Sequence, residues 1–167
     1  MEKQKKYKIH FAPVQGLTDW TFRNLHTKYF GGVDAYYTPF IRVEKEDSFR
    51  SSDMKDCDPE LNSVELLVPQ VLGGEPAELD VCLQMLEGRG YKQVDINMGC
   101  PFTMISRRGK GAGLLPHPER VEALLGVVKD FPEIQCSVKM RLGWEDPGEC
   151  LKLLPLLNAA PLAAIFL

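Results

Sequence analysis

Closely spaced cysteines are missing from this sequence of 167 residues. The chain has five cysteines, an odd number, and no two of them stand at the C-x-x-C spacing of a zinc site. They are scattered along the chain as Cys57, Cys82, Cys100, Cys136 and Cys150. Neither a metal site nor a disulfide framework is expected, and reduced thiols in the cytoplasm are the simpler interpretation.

Long apolar runs and an excess of positive charge are missing as well. No stretch approaches the roughly 20 apolar residues of a membrane span, and the polar residues 1–8 are not followed by the apolar run of a signal peptide. A net charge of −3 excludes a uniformly basic nucleic-acid binder but is compatible with a local basic patch. We therefore expect a soluble, monomeric, cytoplasmic domain with no membrane partner.

Strand-like and helix-like segments alternate along the chain. The sequence predicts strands at residues 7–12, 35–38, 66–71, 94–97, 136–140 and 163–167, and helices at 18–30, 76–88, 118–129 and 147–158. Strands separated by helices imply a parallel sheet, either doubly wound or in a (β/α)8 barrel. Polar residues after several strands favour the barrel, which needs about 200–250 residues or more. We predict an incomplete TIM barrel with roughly its first five or six strands.

A Gly-Cys-Pro turn follows the fourth predicted strand and is the most informative segment of the chain. It places the Cys100 thiol at the C-terminal end of that strand, where Asn97 adds an amide group. Gly99 permits close backbone approach, and Pro101 stiffens the exit from the turn. Taken alone, the segment leaves two interpretations of Cys100 open, a reactive thiol or a small buried apolar residue.

Three further side chains stand at or near the ends of predicted strands. Lys139, between apolar neighbours, is expected to point into the barrel mouth and to compensate a phosphate, a carboxylate or a reduced flavin. Arg141 has the same alternation and offers a forked donor. Gln70 carries an amide that can both donate to and accept from a ring edge. The alternative for Lys139 is a side chain that extends to solvent, and the alternative for Gln70 is a solvated strand end.

A glycine- and arginine-rich segment covers residues 107–113. It lacks the spacing of a phosphate-binding loop, so it is a weak nucleotide motif. Arg107, Arg108 and Lys110 make it locally basic, which suits either contact with RNA phosphates or a solvated charged run. No metal-binding spacing relates the histidines, which are His10, His26 and His117.

Six segments of the chain form an ordered set of motifs. They are Ala-Pro-Val-Gln-Gly-Leu-Thr-Asp (residues 12–19), Phe-Arg (22–23), Pro-Gln (69–70), Asp-Ile-Asn-Met-Gly-Cys-Pro (95–101), Gly-Lys-Gly-Ala-Gly-Leu-Leu (109–115) and Val-Lys-Met-Arg-Leu-Gly-Trp (138–144). Together they resemble the tRNA-dihydrouridine synthases, FMN-dependent enzymes with a TIM-barrel fold. The resemblance covers almost the whole chain. The Asn-Met-Gly-Cys-Pro and Lys-Met-Arg-Leu-Gly pieces are its most specific part.

The resemblance implies FMN as cofactor, NADPH or NADH as reductant, and uridine in tRNA as the substrate reduced to 5,6-dihydrouridine. Pro13, Val14 and Gln15 would supply backbone contacts to the flavin. Gln70 would bond the edge of the isoalloxazine ring, and Lys139 would lie near its N1/O2 side.

The remaining residues that match the family would act on the uracil. Asn97 and Arg141 would face the base, and Cys100 would be the general acid. A hydride would pass to C6 and the thiol proton to C5. A thiol with an unperturbed pKa of ~8.5 is largely protonated at neutral pH, as an acid must be. The target base would have to leave the tRNA stack to reach the pocket.

The sequence departs from the family pattern in two respects. The family usually has Thr-Glu after the second strand, where this chain has Thr38-Pro39-Phe40. The family also continues with a His-Gly-Arg-type segment, phosphate-binding loops and a helical tRNA-binding domain. Residues 1–167 are therefore expected to be the N-terminal portion of an FMN-binding barrel domain, with the C-terminal strands and helical domain absent. Two alternatives stay open: a dihydroorotate- or dihydropyrimidine-dehydrogenase-like flavoenzyme, and an inactive barrel fragment.

Overall fold

The structure, a computed structural model, describes residues 7–167 of the chain. Its strands are β1 (His10–Phe11), β2 (Ala35–Tyr37), β3 (Leu67–Val68), β4 (Gln70–Leu72), β5 (Gln93–Met98), β6 (Gln135–Met140) and β7 (Leu162–Phe166). Its α-helices are α1 (Trp20–Tyr29), α2 (Ser51–Asp56), α3 (Pro76–Gly88), α4 (Thr103–Ser106), α5 (Pro118–Val128) and α6 (Glu149–Ala159). Short 3-10 helices cover Lys45–Asp47 and Gly111–Leu114.

The strands lie side by side in chain order, and every pair is parallel. One three-stranded sheet contains β1 to β3, and one four-stranded sheet contains β4 to β7. Only Pro69 separates β3 from β4, so one run of chain pairs first with β2 and then with β5. A doubly wound sheet reverses its strand order at a switch point, whereas this order proceeds in one direction and does not close among the described strands. The predicted incomplete (β/α)8 barrel is confirmed.

The helices begin and end for local chemical reasons that the sequence carries. Asp19 caps α1, because its Oδ1 accepts from the N–H of Phe22 at 2.8 Å. Gly31 and Gly32 follow α1 with positive φ angles of 62° and 73°, which end the helix at low cost. Between the predicted strands at 35–38 and 66–71, where the sequence predicts no helix, the structure contains α2. That helix buries carboxylates rather than apolar side chains, so it shows no apolar periodicity.

The main core lies between the four-stranded sheet and helices α3, α5 and α6. Leu83, Leu124 and Leu153, one from each helix, are fully buried in one cluster with Ile96 and Val138 of the central strands. Each such side chain contributes about 1.5–3 kcal/mol of burial free energy. This packing holds β5 and β6 rigidly, and with them the residues at their C-terminal ends. No helix in the described part of the chain is long and apolar enough to cross a membrane.

A fully buried arginine connects α1 to the segment around α2. The guanidinium of Arg23 donates to the Thr18 carbonyl at 2.7 Å, the Asp56 carbonyl at 2.6 Å and Asn62 Oδ1 at 2.8 Å. Burial lowers the pKa of Arg23, and the negative charge of Asp56, 3.6 Å away, opposes that shift. Thr18 Oγ1 accepts from the N–H of Val14 at 2.8 Å. Arg23 therefore supports, through Thr18, the loop that follows β1.

Candidate active site at the strand ends

A cleft of about 250 Å³ opens at the C-terminal ends of the strands. Its walls come from the loops after β1 and β2, from β4, from the turn after β5 and from β6. The lining residues are Pro13, Val14, Gln15, Pro39, Phe40, Gln70, Asn97, Gly99, Cys100, Pro101 and Lys139. All the predicted site residues except Arg141 therefore line one cleft, although their positions in the sequence are far apart.

Strand register explains why the polar side chains of this cleft meet. Gln70, Asp95 and Ser137 are partners across β4, β5 and β6. Asn97 and Lys139 are the next such pair, two residues further along β5 and β6. Because side chains two residues apart on a strand share a face, all of them stand on the inner face of the sheet. The polar floor of the cleft thus follows from parallel pairing in this register.

Asn97 fixes the backbone of the cysteine turn. Its Oδ1 accepts hydrogen bonds from the N–H groups of Gly99 and Cys100, each at 3.0 Å. Its Nδ2 donates to Gln70 Oε1 at 2.7 Å. One hydrogen of Asn97 Nδ2 remains for a ligand, so its predicted contact with substrate stays a prediction.

Asp95 is the site residue that sequence reasoning missed. Its fully buried carboxylate accepts from Ser137 Oγ at 2.6 Å and from Gln70 Nε2 at 2.8 Å. Burial raises the pKa of Asp95, and these two hydrogen bonds and the charge of Lys139 oppose the increase. The sequence signal for Asp95 was a charged residue between the apolar Val94 and Ile96, since a buried carboxylate requires hydrogen-bond partners.

The glycine-rich segment packs against the cysteine turn instead of forming a phosphate loop. Gly111 has a φ angle of +56°, and a Cβ on it would lie 2.9 Å from the Cys100 carbonyl oxygen. The N–H of Ala112 donates to the same carbonyl at 3.0 Å. A residue without a side chain is therefore needed at Gly111, so that the turn is supported from behind.

The basic residues of this segment differ in what holds them. The Lys110 ammonium is 2.6 Å from both carboxylate oxygens of Glu78, which occupies it in an ion pair. Arg107 and Arg108 are exposed. Of the three residues that made the segment basic in the sequence, the two arginines are therefore the better placed for contact with an anion.

Arg141 lies outside the cleft. Strand β6 ends at Met140, so the two-residue alternation that fixes Lys139 no longer fixes Arg141. Arg141 is exposed, and its Cγ would be 3.3 Å from a Cβ built on Gly99. The structure therefore places Arg141 beside the cysteine turn, at the rim of the cleft, and its predicted contact with uracil stays a prediction.

The departure from the family pattern falls in the cleft wall. Pro39 and Phe40 line the cleft where the resemblance would place a carboxylate. The preceding Thr38 is fully buried, and its Oγ1 accepts from the backbone N–H of Gln70 at 3.0 Å. Thr38 therefore helps to hold Gln70, while the next two residues give this wall an apolar surface.

Across residues 7–167, no group of three or more His, Cys, Asp or Glu residues is arranged to hold a metal ion.

Cys100 differs from the other cysteines in its exposure and surroundings. It is half-buried in the cleft wall, whereas Cys57, Cys82, Cys136 and Cys150 are buried. Burial raises the pKa of Cys57 to about 11 and those of Cys82 and Cys136 to about 12. These three thiols are therefore protonated and shielded at neutral pH.

We expect a small alkylating reagent at about pH 8, near the unperturbed thiol pKa of ~8.5, to modify Cys100 first in the folded chain. The reason is that a reagent can reach Cys100, whereas burial shields Cys57, Cys82 and Cys136 and raises the pKa of each of these three thiols. Peptide mass spectrometry after short exposure identifies the modified residue, and Cys100→Ser serves as the control that should lose the fast reaction. Equally rapid modification of Cys82 or Cys136 would contradict the packing described above.

Comparison with known proteins gives one family. The family described as Dihydrouridine synthase (Dus) matches residues 10–166. The probable tRNA-dihydrouridine synthase 1 of Synechocystis sp. is 31% identical over 136 residues, which cover 81% of this chain and 37% of that protein.

Two further relatives come from Vibrio species. The tRNA-dihydrouridine(16) synthase of Vibrio parahaemolyticus is 31% identical over 164 residues, covering 92% of this chain and 49% of that protein. The tRNA-dihydrouridine synthase B of Vibrio vulnificus is 27% identical over 167 residues, covering 98% of this chain and 50% of that protein. The chain thus spans half the length or less of these curated relatives.

Proposed function

Because this chain belongs to the dihydrouridine synthase family, we propose that it forms part of an FMN-dependent enzyme that reduces uridines in tRNA to 5,6-dihydrouridine with NADPH or NADH. The observation that carries the proposal is one cleft at the strand ends, lined by the half-buried thiol of Cys100, the amide of Asn97 and the ammonium of Lys139. One hydrogen of the Asn97 amide has no partner among the residues that the structure describes. The names of the relatives support tRNA as the substrate. Reduced thiols and a tRNA substrate both fit a cytoplasmic enzyme.

The donors and acceptors of the cleft fit the edge of an isoalloxazine ring. Gln70 commits one amide hydrogen to Asp95 and one Oε1 lone pair to Asn97, so it retains one hydrogen and one lone pair for a ligand. Lys139 adds a positive charge that would stabilise a reduced flavin. The loop with Pro13, Val14 and Gln15 would add the predicted backbone contacts. When bound, FMN supplies the hydride that uracil accepts at C6.

Cys100 is proposed to deliver the second hydrogen of the product. Its proton would leave Sγ for C5 of the uracil, and the resulting thiolate would be reprotonated from solvent, which reaches this half-buried side chain. Asn97 and Gly111 hold the turn from two sides, so the thiol is presented at a fixed place. Orientation of this kind is a large part of the value of a general acid.

The rim beside the thiol is proposed to contact the RNA around the target base. Arg107 and Arg108 are exposed just after the turn and suit phosphate groups. Phe102, 59% exposed, offers a ring on which an unstacked base can lie. These contacts would hold a flipped nucleotide near the cleft without a uniformly basic surface.

The proposed function is tested by incubating the whole enzyme of which this chain forms part with FMN, NADPH and tRNA that lacks dihydrouridine. We expect dihydrouridine in the digested tRNA, measured by nucleoside mass spectrometry, and no turnover of free uracil or orotate. Turnover of the free bases without modification of tRNA would favour a pyrimidine dehydrogenase. Bound FMN with neither activity would contradict both.

In the whole enzyme, replacing Lys139 with alanine is expected to weaken FMN binding by about ten- to a hundredfold, because a charge-assisted contact contributes roughly 1.5–3 kcal/mol. FMN fluorescence titration measures the affinity, and stopped-flow absorbance measures flavin reduction by NADPH. Lys92→Ala is the control, since that ammonium is 66% exposed and its carboxylate partner is 3.9 Å away. Unchanged affinity together with an unchanged reduction rate in Lys139→Ala would remove Lys139 from the cofactor site.

A further inference from the structure

We infer that Asp95 is a positioning residue, whose carboxylate sets the direction of a hydrogen-bond chain through Gln70 and Asn97 to the backbone of Cys100. The chain runs over three contacts of 2.8, 2.7 and 3.0 Å, and its three side chains are all buried. It connects the amide proposed for the flavin edge with the turn that carries the proposed acid. Its meaning for catalysis rests on the proposed function, but its existence does not.

The direction of this chain follows from its two ends. At one end, the N–H groups of Gly99 and Cys100 can only donate, so the atom of Asn97 that faces them must be Oδ1. Asn97 Nδ2 then faces Gln70 and donates, so the Gln70 atom that accepts must be Oε1. The other amide atom of Gln70, Nε2, therefore faces Asp95. At the other end, the carboxylate oxygen accepts that N–H. Every member is satisfied in this arrangement and in no other.

Turning over one amide would bring two hydrogen-bond donors face to face elsewhere in this series of hydrogen bonds. If Gln70 were turned over, its Nε2 would face Asn97 Nδ2, donor against donor. Turning Asn97 as well would place Nδ2 against the N–H groups of Gly99 and Cys100. The acceptor at Asp95 therefore determines both which Gln70 atoms remain for a ligand and whether the cysteine turn keeps its cap.

Asp95 acts through other residues and does not touch the reacting atoms. It is fully buried, it is not part of the cleft lining, and both carboxylate oxygens are occupied, one by Ser137 and one by Gln70. A direct role in proton transfer to substrate would need an oxygen that faces the cleft. The remaining role is to fix orientation from below, where ordering in a dry environment is most effective.

Three variants of the protein distinguish an orienting role of Asp95 from a packing role. Asp95→Ala removes the group that accepts from Gln70 Nε2. Asp95→Asn keeps the side-chain volume, but its amide can accept from Gln70 in only one of its two orientations. The double variant Asp95→Asn with Gln70→Glu moves the carboxylate from position 95 to position 70. The amide at position 95 must then donate to the carboxylate at position 70, which also accepts from Asn97 Nδ2. Asn97 Oδ1 therefore faces the cysteine turn again, as in the parent protein.

Hydrogen exchange at the backbone amides of Gly99 and Cys100 reads out this direction, expressed relative to the amides of β6. We expect exchange about tenfold faster in Asp95→Ala, the equivalent of one hydrogen bond to a charged group, and a smaller acceleration in Asp95→Asn. The double variant should return to within about twofold of the parent chain. The rate of Cys100 alkylation should follow the same order.

A packing role makes the opposite prediction for the double variant, because it adds a second change to the same site. Exchange in the double variant faster than in Asp95→Asn would overturn the inference, as would parent-like exchange in Asp95→Ala. If Asp95→Ala does not fold, the comparison of Asp95→Asn with the double variant decides the question alone. Neither measurement needs flavin or RNA, so a failed inference is distinguishable from a failed function.

Discussion

Replacing Cys100 with alanine is expected to slow the reduction of uridine in tRNA by roughly 10²- to 10⁴-fold, the usual value of a positioned general acid. FMN binding and oxidation of NADPH by the flavin should stay close to the parent values, because the proposed role of the thiol is limited to supplying the proton for C5. Single-turnover assays with pre-reduced enzyme isolate this step, since they begin after the flavin has accepted its electrons.

Several variants control for indirect effects of this substitution. Cys100→Ser should also be slow, because a hydroxyl is a much weaker acid than a thiol. Cys82→Ala and Cys136→Ala remove buried thiols, so they should lower the free energy of unfolding and leave the single-turnover rate almost unchanged. Dihydrouridine formation at the parent rate in Cys100→Ala would show that the Gly-Cys-Pro turn has only a structural role.

Replacing Arg23 with methionine should lower the free energy of unfolding by about 3–5 kcal/mol, the range for removing one partner of a buried ion pair. Methionine keeps most of the length of the side chain but leaves Asp56 as an uncompensated buried charge. It also removes the donors that satisfy the Thr18 and Asp56 carbonyls and Asn62 Oδ1. Urea unfolding followed by circular dichroism gives the difference.

Arg42→Met is the matched control, because Arg42 forms an ion pair with Glu44 at 2.9 Å but is 39% exposed. An exposed pair of this kind is expected to contribute less than about 1 kcal/mol. Similar losses for the two methionine variants would show that the buried network around Arg23 has no special weight. A large loss at Arg23 alone would confirm that its buried network stabilises the fold.

The parts of the site that the sequence predicted are those governed by regular structure. Parallel strands alternating with helices bring all strand C-termini to one end of the fold, so Gln70, Asn97 and Lys139 were expected to meet there, and they line one cleft. The order of the strands also follows from the barrel that this alternation predicts. In each case, the deciding information lies within a few neighbouring residues.

The parts that could not be predicted depend on contacts between distant segments. The bond between Gln70 and Asp95 spans 25 residues, and the ion pair of Lys110 with Glu78 spans 32. Neither leaves a periodic trace in the sequence. Helix α2 was missed because its buried side chains are carboxylates, which form ion pairs with Arg23 and Arg50. Arg141 illustrates the limit of alternation, which ceases to constrain a side chain once the strand has ended.

The interruption at Pro69 divides the candidate site into two parts with different tolerance for substitution. The hydrogen-bond chain and Cys100 belong to the four-stranded sheet and the turn that follows it, whereas Pro39 and Phe40 follow a strand of the three-stranded sheet. Phe40 packs with Leu72 and Ile105 in a cluster that Cys100 contacts, so Pro39 is the position where a substitution can reshape the surface that a ligand meets and leave the setting of Cys100 unchanged. This arrangement gives selectivity a way to diverge among related enzymes without loss of the chemistry, and Pro39, the residue that departs from the family pattern, lies at the position that permits it.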